Sequence, residues 1–227
     1  MEYTLDIARQ SPGGKPWRQT FLVEDSGESS VSTILDSISS QVSLDAKGEP
    51  AEPVVWECGC LQGKCGACAM RINGVPRLAC SAFLREFPKR RILVEPLGKF
   101  PVIKDLAVDR SGMFESLKQA KLWLEGEAFN SKFRHDACYQ SAMCLMCGCC
   151  LDVCPNFMPD EEFFGAALAV NAYRILEQSE AKSIALEYKK RYWHTCGKSL
   201  SCDKVCPAKL PVEELMARAN AIAIWGK

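Results

Sequence analysis

The chain has 227 residues, of which 48% are hydrophobic and 25% are charged, as in globular domains rather than disordered or fibrous chains. Its 28 Lys and Arg balance its 28 Asp and Glu, so no basic surface for nucleic acid is predicted. The first residues lack the pattern of a secretory signal, and the apolar runs are shorter than the roughly 20 residues of a membrane span. Fourteen cysteines in a chain expected to stay in the reducing cytoplasm favour metal binding over disulfides.

The first hundred residues predict a mixed β domain with one helix. Alternating apolar residues predict strands over YTLDIAR (3–9) and WRQTFLV (17–23), and helical spacing predicts a helix over VSTILDSISS (31–40). The remaining strand candidates are short: VVWE (54–57), AMRIN (69–73), VPRL (75–78) and RILVEP (91–96). Asn73-Gly74 predicts a tight hairpin between two of them. Two hairpins around a helix, with a cysteine-rich loop, predict a β-grasp ferredoxin arrangement.

The second half of the chain predicts helices only. PLGKFP (96–101) is a plausible linker, and we place the domains at residues 1–104 and 105–227. Amphipathic spacing then predicts four helical segments: 113–126, 160–178, 179–193 and 211–225. The predicted fold class is therefore α+β, a β-grasp domain followed by an all-helical domain that two cysteine clusters interrupt.

A first group of cysteines has the spacing C-x4-C-x2-C-x11-C and consists of Cys60, Cys65, Cys68 and Cys80. The first three intervals are typical of plant-type [2Fe–2S] ferredoxins. Gly63 and Gly66 are expected to let the loop bend and bring N–H groups near the sulfur atoms. A structural zinc site is the alternative, although zinc usually takes two short C-x2–4-C pairs. Cys58 is two residues out of register, and we interpret it as a buried or half-exposed free thiol, with ligand exchange with Cys60 as the alternative.

Two further groups follow the C-x2-C-x2-C-x3-C-P pattern of two-cluster ferredoxins, in which the fourth cysteine serves the other cluster. The first contains Cys144, Cys147, Cys150 and Cys154, and the second contains Cys196, Cys202 and Cys206, with Ser199 in the slot of a cysteine. Crossing the fourth cysteines predicts a [4Fe–4S] cluster on Cys144, Cys147, Cys150 and Cys206. The set that remains, Cys154, Cys196 and Cys202, has three thiolates and predicts a [3Fe–4S] cluster; the alternative is a fourth iron on the Ser199 hydroxyl, a poor ligand when protonated. Cys149 and Cys138 fit no ligand position and are interpreted as packed thiols.

These three spacings in this order resemble the iron–sulfur subunits of succinate dehydrogenase and fumarate reductase. The resemblance spans nearly the whole chain and includes PVIKDLAVD (101–109) and Ala-Tyr-Arg (172–174). It implies an electron-transfer subunit without a substrate-transforming site of its own. It also implies three partners: a flavoprotein subunit that carries FAD, a membrane anchor with or without haem b, and a quinone. The expected location is the cytoplasmic face of the cell membrane, as a peripheral subunit.

The resemblance also implies a quinone pocket near the residues after Cys154, and here the chain departs from the family pattern. The candidate pocket residues are Pro155, Asn156, Phe157, Met158 and Trp193. The segment lacks the tryptophans of ubiquinone-linked members, and Gly197 replaces a histidine, which favours menaquinone. Succinate oxidation and fumarate reduction both remain compatible. Three alternatives to this function are the same chain of clusters serving a flavoprotein that reduces another alkene acid, a soluble ferredoxin-type carrier, and a zinc module.

Overall fold

The chain forms two compact units, residues 1–109 and 110–227. The computed structural model describes residues 1–40, 43–128, 134–159, 161–180 and 182–226. The first unit ends with a two-stranded ribbon, β8 (Val102–Lys104) and β9 (Ala107–Val108), and the boundary predicted at residues 104/105 falls inside it.

The first unit is built on a mixed β-sheet. Its earlier strands are β1 (Glu2–Arg9), β2 (Trp17–Glu24), β3 (Ser43–Leu44), β4 (Pro50–Ala51), β5 (Ala69–Ile72), β6 (Val75–Leu78) and β7 (Arg91–Glu95). Within the described residues, five of them form one sheet in the order β2–β1–β7–β5–β6, with β1 parallel to β7 and the other pairs antiparallel. Strands β3 and β4 form a separate small ribbon.

Local sequence patterns account for most of this unit. Tyr3, Leu5 and Ile7 of β1 are buried on one face, as the alternation predicts. Helix α1 (Val31–Ser40) has the predicted bounds and buries its apolar stripe. Asn73 and Gly74 have φ of +50° and +80°, the positive values that a tight β5–β6 turn requires. The predicted helix and hairpin are confirmed.

The strand predicted at VVWE (54–57) is wrong, because this segment pairs with no strand. Its backbone hydrogen bonds go elsewhere in the unit. The Val55 N–H donates to the carboxylate of Asp105 at 2.9 Å, and the Val55 carbonyl accepts from the N–H of Leu106 at 3.0 Å. A side chain 50 positions away thus takes the place of a neighbouring strand, and the β propensity of the segment does not decide its structure.

The second unit is helical. Its helices are α2 (Ser111–Gln119), α3 (His135–Ala142), α4 (Cys149–Asp152), α5 (Gly165–Gln178), α6 (Lys182–Tyr188), α7 (Ser201–Lys204) and α8 (Val212–Trp225), and a π-helical turn, Lys189–Trp193, follows α6. Helix α5 is buried along most of its length and packs on α3 and α8. Among the described residues, no helix is long and apolar enough to cross a membrane.

Two of the predicted helices are shorter than their apolar patterns. The helix predicted over 113–126 ends at Gln119, and Lys121 has φ of +57°. The helix predicted over 160–178 begins at Gly165, and Asp160 itself lies outside the described residues. The backbone N–H of Phe164 instead donates to the carbonyl of Arg191 at 3.1 Å, so the chain before Gly165 follows a tertiary contact rather than a helix.

Candidate iron–sulfur cluster sites

The first cysteine group lies on a loop that three left-handed residues bend. Leu61, Gly63 and Gly66 have φ of +53°, +71° and +79°, and two of these positions are the glycines expected to allow the bend. Between these residues the chain curls around the Cys60 and Cys65 side chains. The loop ends at Cys68, which is buried directly before β5.

Backbone N–H groups of this loop point at sulfur atoms. Cys60 Sγ accepts from the N–H groups of Gln62 and Lys64 at 3.3 and 3.2 Å, and Cys80 Sγ accepts from that of Gly63 at 3.2 Å. The Gln62 and Lys64 donors lower the pKa of the Cys60 thiol to about 7. The loop is therefore shaped to hold thiolates, the form in which cysteine binds metal.

Cys68 and Cys80 close the group from the protein interior. Cys80 follows β6 in a 3-10 turn (Ala79–Ser81), and the Ala79 N–H donates to the Cys68 carbonyl at 3.0 Å. Burial raises the pKa of Cys68 to about 12, and the neighbouring Cys80 sulfur adds to the rise. The structure thus brings the four predicted thiols of the first group together. Cys58, predicted to be a buried or half-exposed thiol, is instead exposed.

In the second unit, the four cysteines predicted to share one cluster surround a cavity of about 30 Å³. Its lining includes Cys144, Cys147, Cys150 and Cys206. The loop that carries the first two turns through Met146 and Gly148, with φ of +50° and +88°. Cys206 lies 56 residues beyond Cys150 in the chain, and the fold brings it to the three cysteines of the first motif, the arrangement that the repeated motif predicts.

Two side chains that the sequence analysis did not single out donate hydrogen bonds to the loop that carries Cys144 and Cys147. The Arg110 Nη1 donates to the Cys147 carbonyl at 3.3 Å, which places a cation next to a predicted ligand. The buried amide of Asn171 donates to Met146 Sδ at 3.4 Å, inside the Cys144–Cys147 loop. Neither residue belongs to the cysteine motif, and only the packing of α2 and α5 brings them here.

Cys149 is fully buried next to this cavity, as expected for a packed thiol. Its side chain donates a hydrogen bond to the Cys147 sulfur and, with the charge of Arg110, lowers the pKa of Cys147 to about 7. The same contact, together with burial, raises the pKa of Cys149. The pair therefore favours a thiolate at Cys147 and a thiol at Cys149. Cys138 is also buried.

The third group, Cys154, Cys196 and Cys202, gathers beside the second. Burial raises the pKa of Cys202 to about 11, and the charges of Cys154 and Cys196 add to the rise. Cys202 also contributes to the raised pKa of Cys150, so the two groups adjoin. Ser199 is exposed and lies between Lys198 and Leu200, which have φ of +53° and +56°. Cys154 and Cys196 thus lie close enough to Cys202 for their charges to act on it.

The candidate quinone residues are only partly brought together. Asn156 Nδ2 donates to the Thr195 carbonyl at 3.0 Å, which joins this segment to the Cys196 loop. Gly197 makes room for it, since a Cβ there would lie 2.8 Å from Asn156 Oδ1. Phe157 is buried, whereas Met158 is half-exposed.

Pro155 is exposed. The last candidate, Trp193, has a cation over its ring. The Lys198 Nζ lies 5.2 Å from the centre of its ring, a cation–π distance. The Trp193 backbone belongs to the π-helical turn that precedes Cys196. This indole is therefore held close to the third cysteine group, but its contact with Phe157 or Met158 stays a prediction.

The fit to clusters follows from the donor sets. Among the described residues, no three His, Cys, Asp or Glu side chains meet closely enough to hold a single metal ion. The thiols of the second group instead surround a space, and those of the first group face inward-pointing N–H donors. Such an arrangement suits a multi-atom cluster with thiolates at its corners.

Comparisons with known proteins agree with this chemistry. Residues 4–115 match the family model of a 2Fe-2S iron-sulfur cluster binding domain, and residues 140–210 match that of a 4Fe-4S dicluster domain. A chain of the Mycobacterium smegmatis Sdh1 complex in the apo form has a similar fold, with a TM-score of 0.73 and 24% identity over 98% of this chain and 95% of that one.

Curated relatives extend the agreement beyond the fold. The succinate dehydrogenase iron-sulfur subunit of Bacillus subtilis is 34% identical over 191 residues, which cover 78% of this chain and 75% of the relative. The fumarate reductase iron-sulfur subunit of Haemophilus influenzae is 32% identical over 193 residues, 72% of this chain and 74% of the relative. The chain therefore belongs to the family of iron–sulfur electron-transfer subunits of succinate dehydrogenase and fumarate reductase.

Proposed function

We propose that this chain carries electrons between the FAD of a flavoprotein subunit and a quinone at a membrane anchor. The observation that carries the proposal is the grouping of eleven predicted ligand cysteines into three sets, one in the first unit and two in the second. The clusters, when bound, take up and release single electrons. The chain holds them and sets the electrostatics around them through its N–H donors and charged side chains.

The proposed ligands follow the three sets. A [2Fe–2S] cluster is assigned to Cys60, Cys65, Cys68 and Cys80; a [4Fe–4S] cluster to Cys144, Cys147, Cys150 and Cys206; and a [3Fe–4S] cluster to Cys154, Cys196 and Cys202. The cavity supports the second set, because its lining contains all four of those thiols. The exposed hydroxyl of Ser199 supports the third, since a protonated serine is a poor ligand for a fourth iron.

The partners and the location are proposed from the family. We assign the chain to a peripheral position on the cytoplasmic face of the cell membrane, with a flavoprotein on one side of the electron path and an anchor, with or without haem b, on the other. Menaquinone is the proposed quinone, and Asn156, Phe157, Met158, Pro155 and Trp193 are its proposed pocket residues. The hydrogen bond from Asn156 to Thr195 supports a pocket beside the third cysteine set.

The test is electron paramagnetic resonance of the complex purified without oxygen, in the oxidised and stepwise reduced states. We expect three distinct cluster signals, one of them a [3Fe–4S] signal present in the oxidised state. Ser199→Cys should replace that signal with that of a fourth-iron cluster, and Cys154→Ala should remove it. Cys149→Ala is the matched control, since this cysteine lies beside the ligands and should leave all three signals in place.

The outcomes separate the alternatives. A colourless protein with zinc and no acid-labile sulfide would contradict the proposal. Purification of this chain alone, without a flavoprotein or an anchor, would favour a free carrier. A flavoprotein that reduces another alkene acid, but not fumarate, would keep the electron path and change the substrate. An unchanged [3Fe–4S] signal in both Ser199→Cys and Cys154→Ala would refute the crossed ligand assignment.

A further inference from the structure

The first unit contains an ion pair that is almost completely removed from solvent. Arg9, the last residue of β1, and Asp105, in the turn between β8 and β9, are each 1% exposed. Arg9 Nε lies 3.0 Å from Asp105 Oδ1, and Nη2 lies 3.2 Å from Oδ2, a bidentate geometry. The two residues are 96 positions apart, and we call this pair the Arg9–Asp105 clamp.

Three of the further hydrogen bonds of the clamp go to one segment of backbone, residues 52–55, and others go to the Gln19 side chain and the Gln10 N–H. Arg9 Nη1 and Nη2 donate to the carbonyls of Glu52 and Pro53, both at 3.1 Å. Asp105 Oδ2 accepts from the N–H of Val55 at 2.9 Å. This segment pairs with no strand, so the clamp supplies the contacts that a neighbouring strand would otherwise provide.

The backbone at Asp105 adds a second observation. Asp105 has φ of +48°, a left-handed conformation that side chains with a Cβ adopt at a cost. Its N–H donates to the Gln10 carbonyl at 2.8 Å, and its Oδ1 accepts from the N–H of Gln10 at 3.1 Å. The fold therefore holds the carboxylate in one position from several directions.

Such a pair is poorly explained by stability alone. Burying two charges costs desolvation free energy, and replacing a buried ion pair by apolar side chains of similar volume is often neutral or stabilising. A bidentate charged pair does fix direction, because its planar groups present donors and acceptors at set angles. What the clamp gains over an apolar pair is the position of residues 52–55.

We propose that the Arg9–Asp105 clamp positions the start of the loop that holds the [2Fe–2S] cluster. Cys60 follows Val55 by five residues, so the segment that the clamp holds leads directly into the loop. Arg9 and Asp105 touch no predicted ligand and act through residues 52–55, as positioning residues. This inference rests on the proposed function, since it assumes that the loop carries the cluster.

The test uses the complete complex and two kinds of variant. Arg9→Met/Asp105→Leu keeps the site filled with apolar side chains but removes the clamp's own bonds to residues 52–55, together with those to Gln19 and the Gln10 N–H. Val55→Pro keeps the ion pair and removes a single donor to Asp105. Arg18→Met/Glu95→Leu is the matched control, because that ion pair lies in the same unit, joins β2 to the end of β7 and is partly exposed.

Three readouts are compared with the wild type: the rate of [2Fe–2S] loss to an iron chelator, the midpoint potential of that cluster, and hydrogen exchange of the β1 and β7 amides. We expect chelator loss to accelerate by about tenfold or more, as for a lost charged hydrogen bond. The midpoint potential should also shift. The β1 and β7 amides should stay protected, and the two clusters of the second unit should be retained as in the wild type.

The outcomes test the positioning role of the clamp separately from the proposed electron-transfer function. If the wild type shows no [2Fe–2S] signal, the proposed function fails. If the wild type shows it and both variants lose it no faster than the Arg18→Met/Glu95→Leu control, the clamp does not position the loop. Exposure of the β1 and β7 amides in both variants would also overturn the proposal, because the pair would then serve the folding of the sheet. When the double variant does not assemble, Val55→Pro decides.

Discussion

Replacement of Gly165 by alanine is expected to destabilise the second unit around its cysteine loops. Gly165 begins α5 with φ of +68°, and a Cβ at this position would lie 2.3 Å from Leu151 Cδ2. Leu151 belongs to α4, between Cys150 and Cys154, and is 1% exposed. Because this side chain is almost fully buried, relief of the clash requires it to repack against its neighbours or requires α5 or the α4 segment to move.

The magnitude follows from two contributions. A left-handed residue with a Cβ costs about 1–2 kcal/mol relative to glycine. Overpacking of a dense core costs about 1–3 kcal/mol more. The sum is about 2–5 kcal/mol of unfolding free energy, a large share of the roughly 5–15 kcal/mol that a domain has. At about 2–8 °C per kcal/mol, the melting midpoint should fall on the order of 10 °C.

The assay is thermal unfolding of the purified complex at a fixed scan rate, together with the content of the two clusters of the second unit. Two alanine variants in the same unit serve as controls. Gly226 has φ of +81° and open space at its Cβ position, so Gly226→Ala measures backbone strain without a clash. Gly112 has open space in α2, so Gly112→Ala should be neutral or slightly stabilising.

A double-mutant cycle identifies the atom that is responsible. If Leu151 causes the clash, Leu151→Ala in the Gly165→Ala background should recover part of the loss, although Leu151→Ala alone is destabilising. The reasoning is refuted if Gly165→Ala melts within about 2 °C of Gly226→Ala, less than the effect of 1 kcal/mol in a small domain. It is also refuted if the two substitutions at positions 165 and 151 are simply additive.

Three further outcomes are expected. Arg110→Gln should lower the midpoint potential of the [4Fe–4S] cluster in a redox titration, because a cation next to Cys147 favours the reduced state. Arg110→Lys should retain most of the wild-type value. Equal potentials in the wild type and both variants would contradict this. Gly197→His should disturb the [3Fe–4S] signal by displacing the Asn156 side chain, and truncation of that side chain should relieve the effect. Hydrogen bonds from the Ser29 side chain and the Gly27 N–H lower the pKa of Asp25 below 3.8. The contribution of Asp25 to the free energy of unfolding is therefore present above pH 3.8 and is lost as the pH falls through the folded-state pKa. Asp25→Asn should therefore melt lower at pH 7 and match the wild type in strong acid.

Much of the first unit could be predicted because its signals are local. The alternation of β1, the apolar stripe of α1 and the Asn73-Gly74 turn each depend on residues within one element. The segment 54–57 could not be predicted, although it is rich in strand-forming residues. Its backbone is bonded by Asp105 and Leu106, and no local pattern reports a partner 50 positions away.

The cysteine spacing predicted which thiols gather, but not what surrounds them. The crossing of Cys206 into the Cys144–Cys150 group could be predicted because the repeated motif encodes it. Arg110 and Asn171 could not, since neither belongs to a cysteine motif: Arg110 directly precedes α2, and Asn171 lies within α5. Their contacts with this loop arise from how α2 and α5 pack in the folded unit.

The distance along the chain between Arg9 and Asp105 also sets an order of events during synthesis. A ribosome releases the chain from its N-terminus at about 5–20 residues per second. The last proposed [2Fe–2S] ligand, Cys80, is therefore made on the order of 1–5 s before Asp105. In that interval all four thiols have been made, while the carboxylate that bonds Val55 and pairs with Arg9 has not. The start of the loop therefore gains its full set of bonds only when the final ribbon of the unit has been made.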